Sequence, residues 1–151
     1  MKKTWVYLLF TSLALGSVMV PEYRSFDRSL IQPQAKLCWS KLDHLYLYRV
    51  NLSNAGLSGS TMNHSNLEKA QLTSANLRWV DLSYSSLKKA NLRGADLRGA
   101  NLSYSDLRGA YLYQTNYKEA NLEYAIWIDG SVCQEGSIGK CIKGKKFYQR
   151  Q

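Results

Sequence analysis

The sequence predicts a solenoid in which each coil contains four five-residue repeats. Leucine recurs at every fifth position from 47 to 122, and only Met62 and Tyr117 interrupt the series. The residue two places before a central leucine is small or β-branched at every repeat position from 50 to 125. A longer period of twenty residues is also present, because Leu82-Ser83-Tyr84-Ser85 recurs as Leu102-Ser103-Tyr104-Ser105. These three observations predict a chain that winds around one apolar axis.

Neither an α-helix nor a plain strand accounts for a period of five. In a helix, leucines five apart would be separated by about 140° and would spread over every side. In a strand they would alternate between opposite faces. A chain that bends once per repeat buries all of them, and each coil then rests on the previous one. The twenty-residue period favours four repeats per coil, although tandem duplication of a twenty-residue segment would produce the same echo.

Three consecutive repeats resemble those of the pentapeptide-repeat proteins: Ala90-Asn91-Leu92-Arg93-Gly94, Ala95-Asp96-Leu97-Arg98-Gly99 and Ala100-Asn101-Leu102-Ser103-Tyr104. The resemblance covers residues 46–125 and implies an all-β fold, a right-handed quadrilateral β-helix with the leucine and the small residue pointing inward. We expect about four coils over residues 46–127. The ring of Tyr117 is too large for a leucine position, so we expect a local distortion of the coil there.

The amino-terminal region is predicted to hold three segments. Lys2 and Lys3 precede an apolar run from Trp5 to Val20, which is the order of a secretory signal, with cleavage before Ser17. The run is short for a membrane span, so residues 1–20 are assigned as a signal peptide, with an uncleaved anchor as the alternative. Residues 21–36 are assigned as a linker. Residues 37–45 are expected to form a short helical cap over the first coil.

The carboxy-terminal region is predicted to close the other end. The apolar stretch of Ile126, Trp127 and Ile128 would plug the last coil. In an exported chain Cys133 and Cys141 are expected to form a disulfide within a cap at 128–142. Cys38 is left over. A zinc site is disfavoured because the chain offers only three Cys and two distant His.

The formal net charge of +9 is concentrated outside the repeats. Residues 1–40 contribute +3, residues 41–130 contribute +2, and residues 131–151 contribute +4. The segment 143–151 is therefore predicted to be a basic tail.

With four repeats per coil, residues twenty apart form columns on the surface. One column is aromatic and contains His64, Tyr84, Tyr104 and Tyr124; two are basic and contain Arg49, Lys69 and Lys89, and Arg78, Arg98 and Lys118. The aromatic column could contact a sugar or a protein, but stacking of like residues in adjacent coils also explains it. The basic columns could meet anionic polymers, or be solvated faces neutralised by Glu68, Asp96, Asp106 and Glu119.

The sequence favours a binding role over an enzymatic one. His44 and His64 are isolated, no glycine-rich phosphate loop is present, and the carboxylates occupy repeat positions. We therefore expect no catalytic residue, no cofactor, no metal and no small-molecule substrate. The prediction is an extracytoplasmic scaffold, periplasmic or secreted, that presents its faces to an unidentified protein partner. Nucleic acid is not expected as a partner, and membrane contact is expected only through residues 1–20.

Two alternatives remain for the function. Some members of the family that the sequence resembles imitate DNA and inhibit DNA gyrase, which requires a strongly negative surface; the basic charge and the signal peptide disfavour this role here. The other alternative is binding of an anionic polymer or glycan by the basic and tyrosine columns. Relatives often dimerise end to end, and a disulfide-closed cap would obstruct that contact.

Overall fold

Backbone bridges between positions twenty residues apart organise the whole fold. The computed structural model describes residues 31–146. Parallel bridges join successive coils without a gap, from Lys36 and Gly56 to Asp106 and Ile126. Four repeats therefore make one coil, and residues 31–130 form about five coils. The expected number was about four.

Each repeat consists of one bridging residue and one tight turn. In the repeat centred on Leu82, the amide of Leu82 donates to the carbonyl of Asn101 in the next coil at 2.8 Å. The amide of Ser85 donates back to the carbonyl of Leu82 at 3.2 Å and closes a four-residue turn. The third residue of that turn, Tyr84, has a φ of 56°. This left-handed conformation suits glycine or asparagine, yet most repeats place a larger residue there.

The core is a column of leucines along the solenoid axis. All central leucines from Leu47 to Leu107 are buried, and so is Met62. The small residues two places earlier lie beside them and allow the walls to approach closely. Burial of each leucine contributes roughly 1.5 to 3 kcal/mol relative to exposure. The apolar column therefore stabilises every coil to a similar extent.

The first coil begins earlier than the sequence analysis expects. The predicted helix over 37–45 is absent, because those residues form turns and bridges like the later repeats. Leu37 and Leu42 are buried in the core and continue the five-residue series toward the amino terminus. Residues 31–36 of the expected linker also belong to the coil, where Ile31 is buried. The expected signal segment 1–20 and the first ten residues of the linker lie outside the described residues.

The coil keeps its register at Tyr117, contrary to the expected distortion. Asn116 still bridges to Asp96, and the amide of Ala120 still donates to the carbonyl of Tyr117 at 3.1 Å. The Tyr117 ring fits because it is only partly buried and meets the Trp127 ring edge-on, with 5.7 Å between the ring centroids. The larger side chain is therefore accommodated by side-chain packing at the end of the core, and the backbone register is unchanged.

Two short strands form the carboxy-terminal cap. β1 (Ser131–Cys133) and β2 (Lys143–Lys146) pair antiparallel. A disulfide joins Cys133 to Cys141, and both cysteines are buried. Trp127 is buried beneath the cap, whereas Ile128 is exposed and takes no part in the expected plug. The expected basic tail is thus divided, because residues 143–146 form β2 and residues 147–151 lie outside the described residues.

The cap covers only part of the last coil. The amide of Tyr124 donates to the carbonyl of Cys133 at 2.9 Å, and that of Leu122 donates to Ser137 at 2.8 Å. The amides of Leu112 and Tyr117 find no acceptor within residues 31–146. Two of the four sides of the last coil are therefore covered by the cap. Within the described residues there is no helix, and so none that could cross a membrane.

We predict that Leu92→Ala lowers the free energy of unfolding by about 2 to 5 kcal/mol, because it leaves a cavity in a fully buried position. The neighbouring variant Arg93→Ser is the matched control, since the Arg93 guanidinium lies 5.6 Å from the Tyr113 ring centroid and forms no salt bridge with the described residues. Its cost should stay below about 1 kcal/mol. Urea titration followed by circular dichroism measures both values. Equal costs for the two variants would contradict the buried leucine column.

We predict that acid loosens the start of the cap through Asp129. Its carboxylate accepts hydrogen bonds from Lys143 at 2.7 Å and from the Ser131 hydroxyl at 2.6 Å, and these contacts hold the pKa of Asp129 well below its usual range. A depressed pKa means that the stabilisation is complete above about pH 4 and is lost as the pH falls through the folded-state pKa. In the native chain the protection of the Ser131 amide from hydrogen exchange, measured relative to the unstructured chain at the same pH, should fall below pH 4.

Asp129→Asn provides the control for this pH effect. In this variant the Ser131 amide should be less protected than in the native chain at pH 7, and its protection should change little further on acidification. Asp96→Asn, on a distant repeat, should retain the native pH profile at Ser131. An unchanged profile in Asp129→Asn would show that another group is responsible.

Candidate interaction surfaces

The four repeats of each coil give the solenoid four faces, which we name by their side chains. Each repeat runs from two residues before its centre to two residues after it. The repeat centres are 37, 57, 77, 97 and 117 on the tryptophan face, 42, 62, 82, 102 and 122 on the aromatic face, 47, 67, 87, 107 and 127 on the basic face, and 32, 52, 72, 92 and 112 on the polar face. The described part of the tryptophan face carries four basic and two acidic residues, and that of the basic face carries five basic and three acidic residues. The described part of the aromatic face carries one basic and three acidic residues, and that of the polar face carries one basic residue and no acidic residue. The aromatic face alone is acidic.

A continuous row of stacked rings runs along the aromatic face. Successive ring centroids are 4.8 to 5.1 Å apart, about one coil spacing. The row, here called the aromatic row, consists of His44, His64, Tyr84, Tyr104 and Tyr124. The structure thus brings together the predicted column and adds His44. That residue was missed because the first coil was expected to be helical; Leu42, which continues the leucine period, was the available signal.

Stacking determines what the aromatic row can contact. The ring of Tyr104 lies between those of Tyr84 and Tyr124, at 4.8 Å and 5.0 Å. Both of its flat sides are therefore occupied, and the inner rings present edges and hydroxyl groups to solvent. A sugar cannot stack on these inner rings. Glu135 in the cap raises the pKa of Tyr124.

The predicted column of Arg78, Arg98 and Lys118 lies on the tryptophan face, and most of its charge is paired. Arg98 binds the carboxylate of Asp96 with two nitrogens, at 2.9 Å and 2.6 Å. This pairing with Arg98 lowers the pKa of Asp96. Lys118 lies 3.7 Å from Glu119, with both side chains well exposed. Arg78 differs, because it forms no salt bridge with a carboxylate of the described residues, although its charge also helps to lower the pKa of Asp96.

The column of Arg49, Lys69 and Lys89 lies on the basic face. Lys69 donates to the hydroxyl of Tyr48 at 3.0 Å, and this hydrogen bond lowers the pKa of Tyr48. Lys69 is also 3.7 Å from Glu68, and Arg49 lies over the Tyr48 ring at 5.3 Å. Among the three residues, Lys69 alone forms a salt bridge with a carboxylate of the described residues, so the column is neutralised at one of its three positions.

Two exposed tryptophans on the tryptophan face were not identified as site residues from the sequence. Trp39 is 74% exposed and Trp79 is 56% exposed. Each indole fills the space beside a glycine one coil further on: a Cβ at Gly59 would meet the Trp39 ring at 2.4 Å, and one at Gly99 would meet the Trp79 ring at 2.7 Å. The alternation of tryptophan and glycine at positions 39, 59, 79 and 99 was the signal available in the sequence.

The cysteines and histidines form no metal-binding cluster in the described part of the chain, where no three His, Cys, Asp or Glu side chains converge. Cys133 and Cys141 are joined to each other. The exposed thiol of Cys38 accepts a hydrogen bond from the Ser58 hydroxyl at 3.4 Å.

The fold and its faces define a class: a β-solenoid that holds rows of side chains at fixed spacing. The sequence model for pentapeptide repeats matches in eight copies, over residues 34–68, 51–88 and 75–112. The chain therefore belongs to the pentapeptide-repeat family. Members of this family wind as right-handed quadrilateral β-helices.

Solved structures of the same family resemble this chain. Alr5209, a pentapeptide repeat protein from Nostoc Pcc 7120, is 33% identical with a TM-score of 0.53, over 60% of this chain and 80% of its own. HetL from the cyanobacterium Nostoc sp. strain PCC 7120, involved in heterocyst differentiation regulation, is 30% identical with a TM-score of 0.35, over 66% and 64%. QnrB1, a plasmid-mediated fluoroquinolone resistance protein, is 18% identical with a TM-score of 0.41, over 56% and 52%. A search of curated proteins found no match.

We predict that Gly99→Ala displaces the Trp79 indole as well as straining the backbone. The new Cβ would lie 2.7 Å from the ring, and Gly99 has a φ of 66°. Gly94→Ala is the matched control, because its φ is 65° and its Cβ would meet only the Ser74 hydroxyl oxygen, at 3.3 Å. Both variants should lose about 1 to 2 kcal/mol of stability from the left-handed backbone. Only Gly99→Ala should change tryptophan fluorescence, and equal spectra in both variants would contradict the contact.

Proposed function

We propose that this protein is a non-enzymatic extracytoplasmic scaffold whose aromatic face binds a partner protein. Pentapeptide-repeat proteins are in general structural or interaction modules. The observation that carries the proposal for this chain is the aromatic row, a line of exposed tyrosine edges held in register by the backbone of adjacent coils. Tyrosine is favoured at protein interfaces because it offers a large apolar surface together with a hydroxyl group.

The rigidity of the solenoid supports a recognition role. Each tyrosine of the row lies in a turn that is fixed by hydrogen bonds to the next coil; for example, the Tyr84 amide donates to the carbonyl of Ser103 at 3.0 Å. The rings also restrain one another by stacking. Little side-chain entropy is therefore left to lose on binding, and ordered side chains cost less to immobilise in a complex.

The charge of the aromatic face indicates the kind of protein partner. Asp43, Asp81 and Glu123 lie on this face with a single basic residue, Lys41. The two neighbouring faces each carry a net positive charge. A partner with a basic patch would be attracted to the aromatic face and repelled by its neighbours, which would orient the complex.

Two features support a location outside the cytoplasm. Lys2 and Lys3 followed by an apolar run form the order of a secretory signal. The disulfide between Cys133 and Cys141 closes the cap, and disulfides persist in oxidising compartments. Imitation of DNA is not favoured, because three of the four faces carry a net positive charge and an acidic face with three carboxylates offers few charges to replace phosphates.

Photo-crosslinking in fractionated cells tests the proposal. A benzophenone amino acid placed at Tyr104 should give a crosslinked protein in the extracytoplasmic fraction, and the same group at Asn54 on the polar face should not. Changing Tyr84 and Tyr124 to glycine should reduce the crosslink, since the row then loses its neighbouring rings. Thiol labelling of the same fraction should modify Cys38 and leave Cys133 and Cys141 unmodified until reduction.

Two results would count against the proposal. A chain found in the cytoplasm with three reactive thiols would contradict the location. Equal crosslinking at Tyr104 and Asn54 would contradict binding by the aromatic face.

A further inference from the structure

The amino-terminal end of the aromatic row consists of two histidines on adjacent coils. The imidazole centroids of His44 and His64 are 5.1 Å apart, and the ring planes differ by 7°. Both side chains are exposed. His64 also stacks on Tyr84, whereas His44 stacks on no other ring of the described residues. The chain contains two histidines in all, and the coil places them side by side.

The ring nitrogens of this pair are available to a ligand. Neither imidazole forms a hydrogen bond or an ion pair within residues 31–146. A tyrosine at either position would also stack, as Tyr84 and Tyr104 do at 4.8 Å. Histidine differs from tyrosine because it presents a nitrogen lone pair, and neutral imidazole is the commonest metal ligand in proteins.

A carboxylate lies next to the pair and joins its two coils. Asp43 precedes His44 in the chain. The carboxylate oxygens of Asp43 accept hydrogen bonds from the Thr61 hydroxyl at 2.8 Å and from the Asn63 amide at 3.1 Å, in the repeat that carries His64. Asp43 forms no salt bridge with the described residues. These contacts hold the two turns in register, and the negative charge attracts a cation.

We propose that His44 and His64 bind one divalent transition-metal ion at the surface of the aromatic face. Imidazole is a good ligand for nickel, copper and zinc, and copper(II) binds most tightly in this series. Metal–nitrogen bonds of about 2.0 to 2.1 Å place two neighbouring ligand nitrogens about 3 Å apart. The facing rings reach that separation by tilting toward each other at their outer edges, which exposed side chains allow. The proposal does not depend on the protein partner of the aromatic face.

The pair supplies two ligands, so water fills the other coordination positions of the metal. No third His, Cys, Asp or Glu side chain converges on the pair within the described residues. Asp43 therefore acts through its charge and its contacts with the next coil. This site differs from the closed zinc site considered in the sequence analysis, which requires four protein ligands. We expect reversible binding of one ion per chain, with no role for the metal in folding.

Titration of the Cys38→Ser chain with copper(II) chloride, followed by NMR of the imidazole protons, tests the inference. This background removes the exposed thiol, which is another ligand for copper. Copper(II) is paramagnetic and broadens nearby resonances, so both imidazoles should broaden together and saturate at one ion per chain. Magnesium chloride should leave the spectrum unchanged, because magnesium prefers oxygen ligands. Absence of broadening by copper, or broadening of one imidazole alone, would overturn the inference.

Two variants remove a ligand and keep the stacked row. His44→Tyr and His64→Tyr introduce the residue already present at Tyr84 and Tyr104, so the turns and the stacking should remain intact. Each should weaken copper binding by about tenfold or more, and tenfold corresponds to about 1.4 kcal/mol. Calorimetry measures the affinity. Native copper affinity in either variant would show that the pair is not the site.

A gain of affinity separates the pair from the number of histidines. Tyr84→His extends the pair to three imidazoles in register and should raise copper affinity by about tenfold. Ser74→His adds a histidine at the same turn position on the polar face, with a φ of 55° in place of 56°, and should leave the affinity unchanged. An equal gain in both variants would mean that copper binding follows the number of histidines, against the inference.

The contribution of the carboxylate has its own pair of variants. Asp43→Asn and Asp96→Asn each remove one negative charge, the first beside the histidines and the second on the tryptophan face. Only Asp43→Asn should weaken copper binding, because Asp43 lies next to His44. An equal loss of affinity in both variants would mean that copper binding follows net charge and is not located at the histidine pair.

Discussion

The hydrogen-bonded ladder between coils is the constraint on which the rest of the structure depends. From Leu37 to Leu107, the central residue of each repeat donates its amide to a carbonyl in the next coil. From Gly56 to Ile126, the residue before the centre donates its amide to a carbonyl in the previous coil. Because these partners lie nineteen or twenty-one residues apart, a repeat between two coils cannot shift without breaking bonds on both sides. The leucine column gives the ladder its apolar interior. Removing the ladder would leave each repeat as an isolated turn, too small to bury its leucine.

The same ladder explains why the surface is ordered. A turn residue in the left-handed conformation is directed outward at each repeat, and its counterpart one coil away lies about one strand spacing from it. Side chains of one type then stack, as in the aromatic row, while a large side chain beside glycine covers it, as Trp79 covers Gly99. The strained turn position is the one from which the most prominent surface side chains project. Structural regularity and surface chemistry are therefore set by one backbone conformation.

The two ends of the solenoid differ, because the regular repeat continues at the amino-terminal end and stops at the carboxy-terminal end. At the amino terminus, Leu37 and Leu42 continue the period although the preceding sequence is less regular. At the carboxy terminus the chain reverses direction after Gly130, and β1 lies antiparallel on the last coil. A parallel coil would need another leucine repeat after Trp127, and residues 131–142 contain none. The disulfide and the two strands therefore close this end of the solenoid in place of a further leucine repeat.

The sequence by itself determined the repeat length and the buried leucine series, because a period of five can bury all its leucines only if the chain bends at each one. The period of twenty also favoured four repeats per coil, and with it the set of residues that share a column, but tandem duplication would give the same period, and the bridges between coils decided the question. Only the tertiary structure decided where the first coil begins, how Tyr117 fits against Trp127, and which charges are paired. It also decided that the tyrosine rings stack on one another while Trp39 and Trp79 remain exposed. These outcomes depend on contacts between side chains in different coils, and the identity of a residue does not reveal whether its neighbour covers it, pairs with it or leaves it in water.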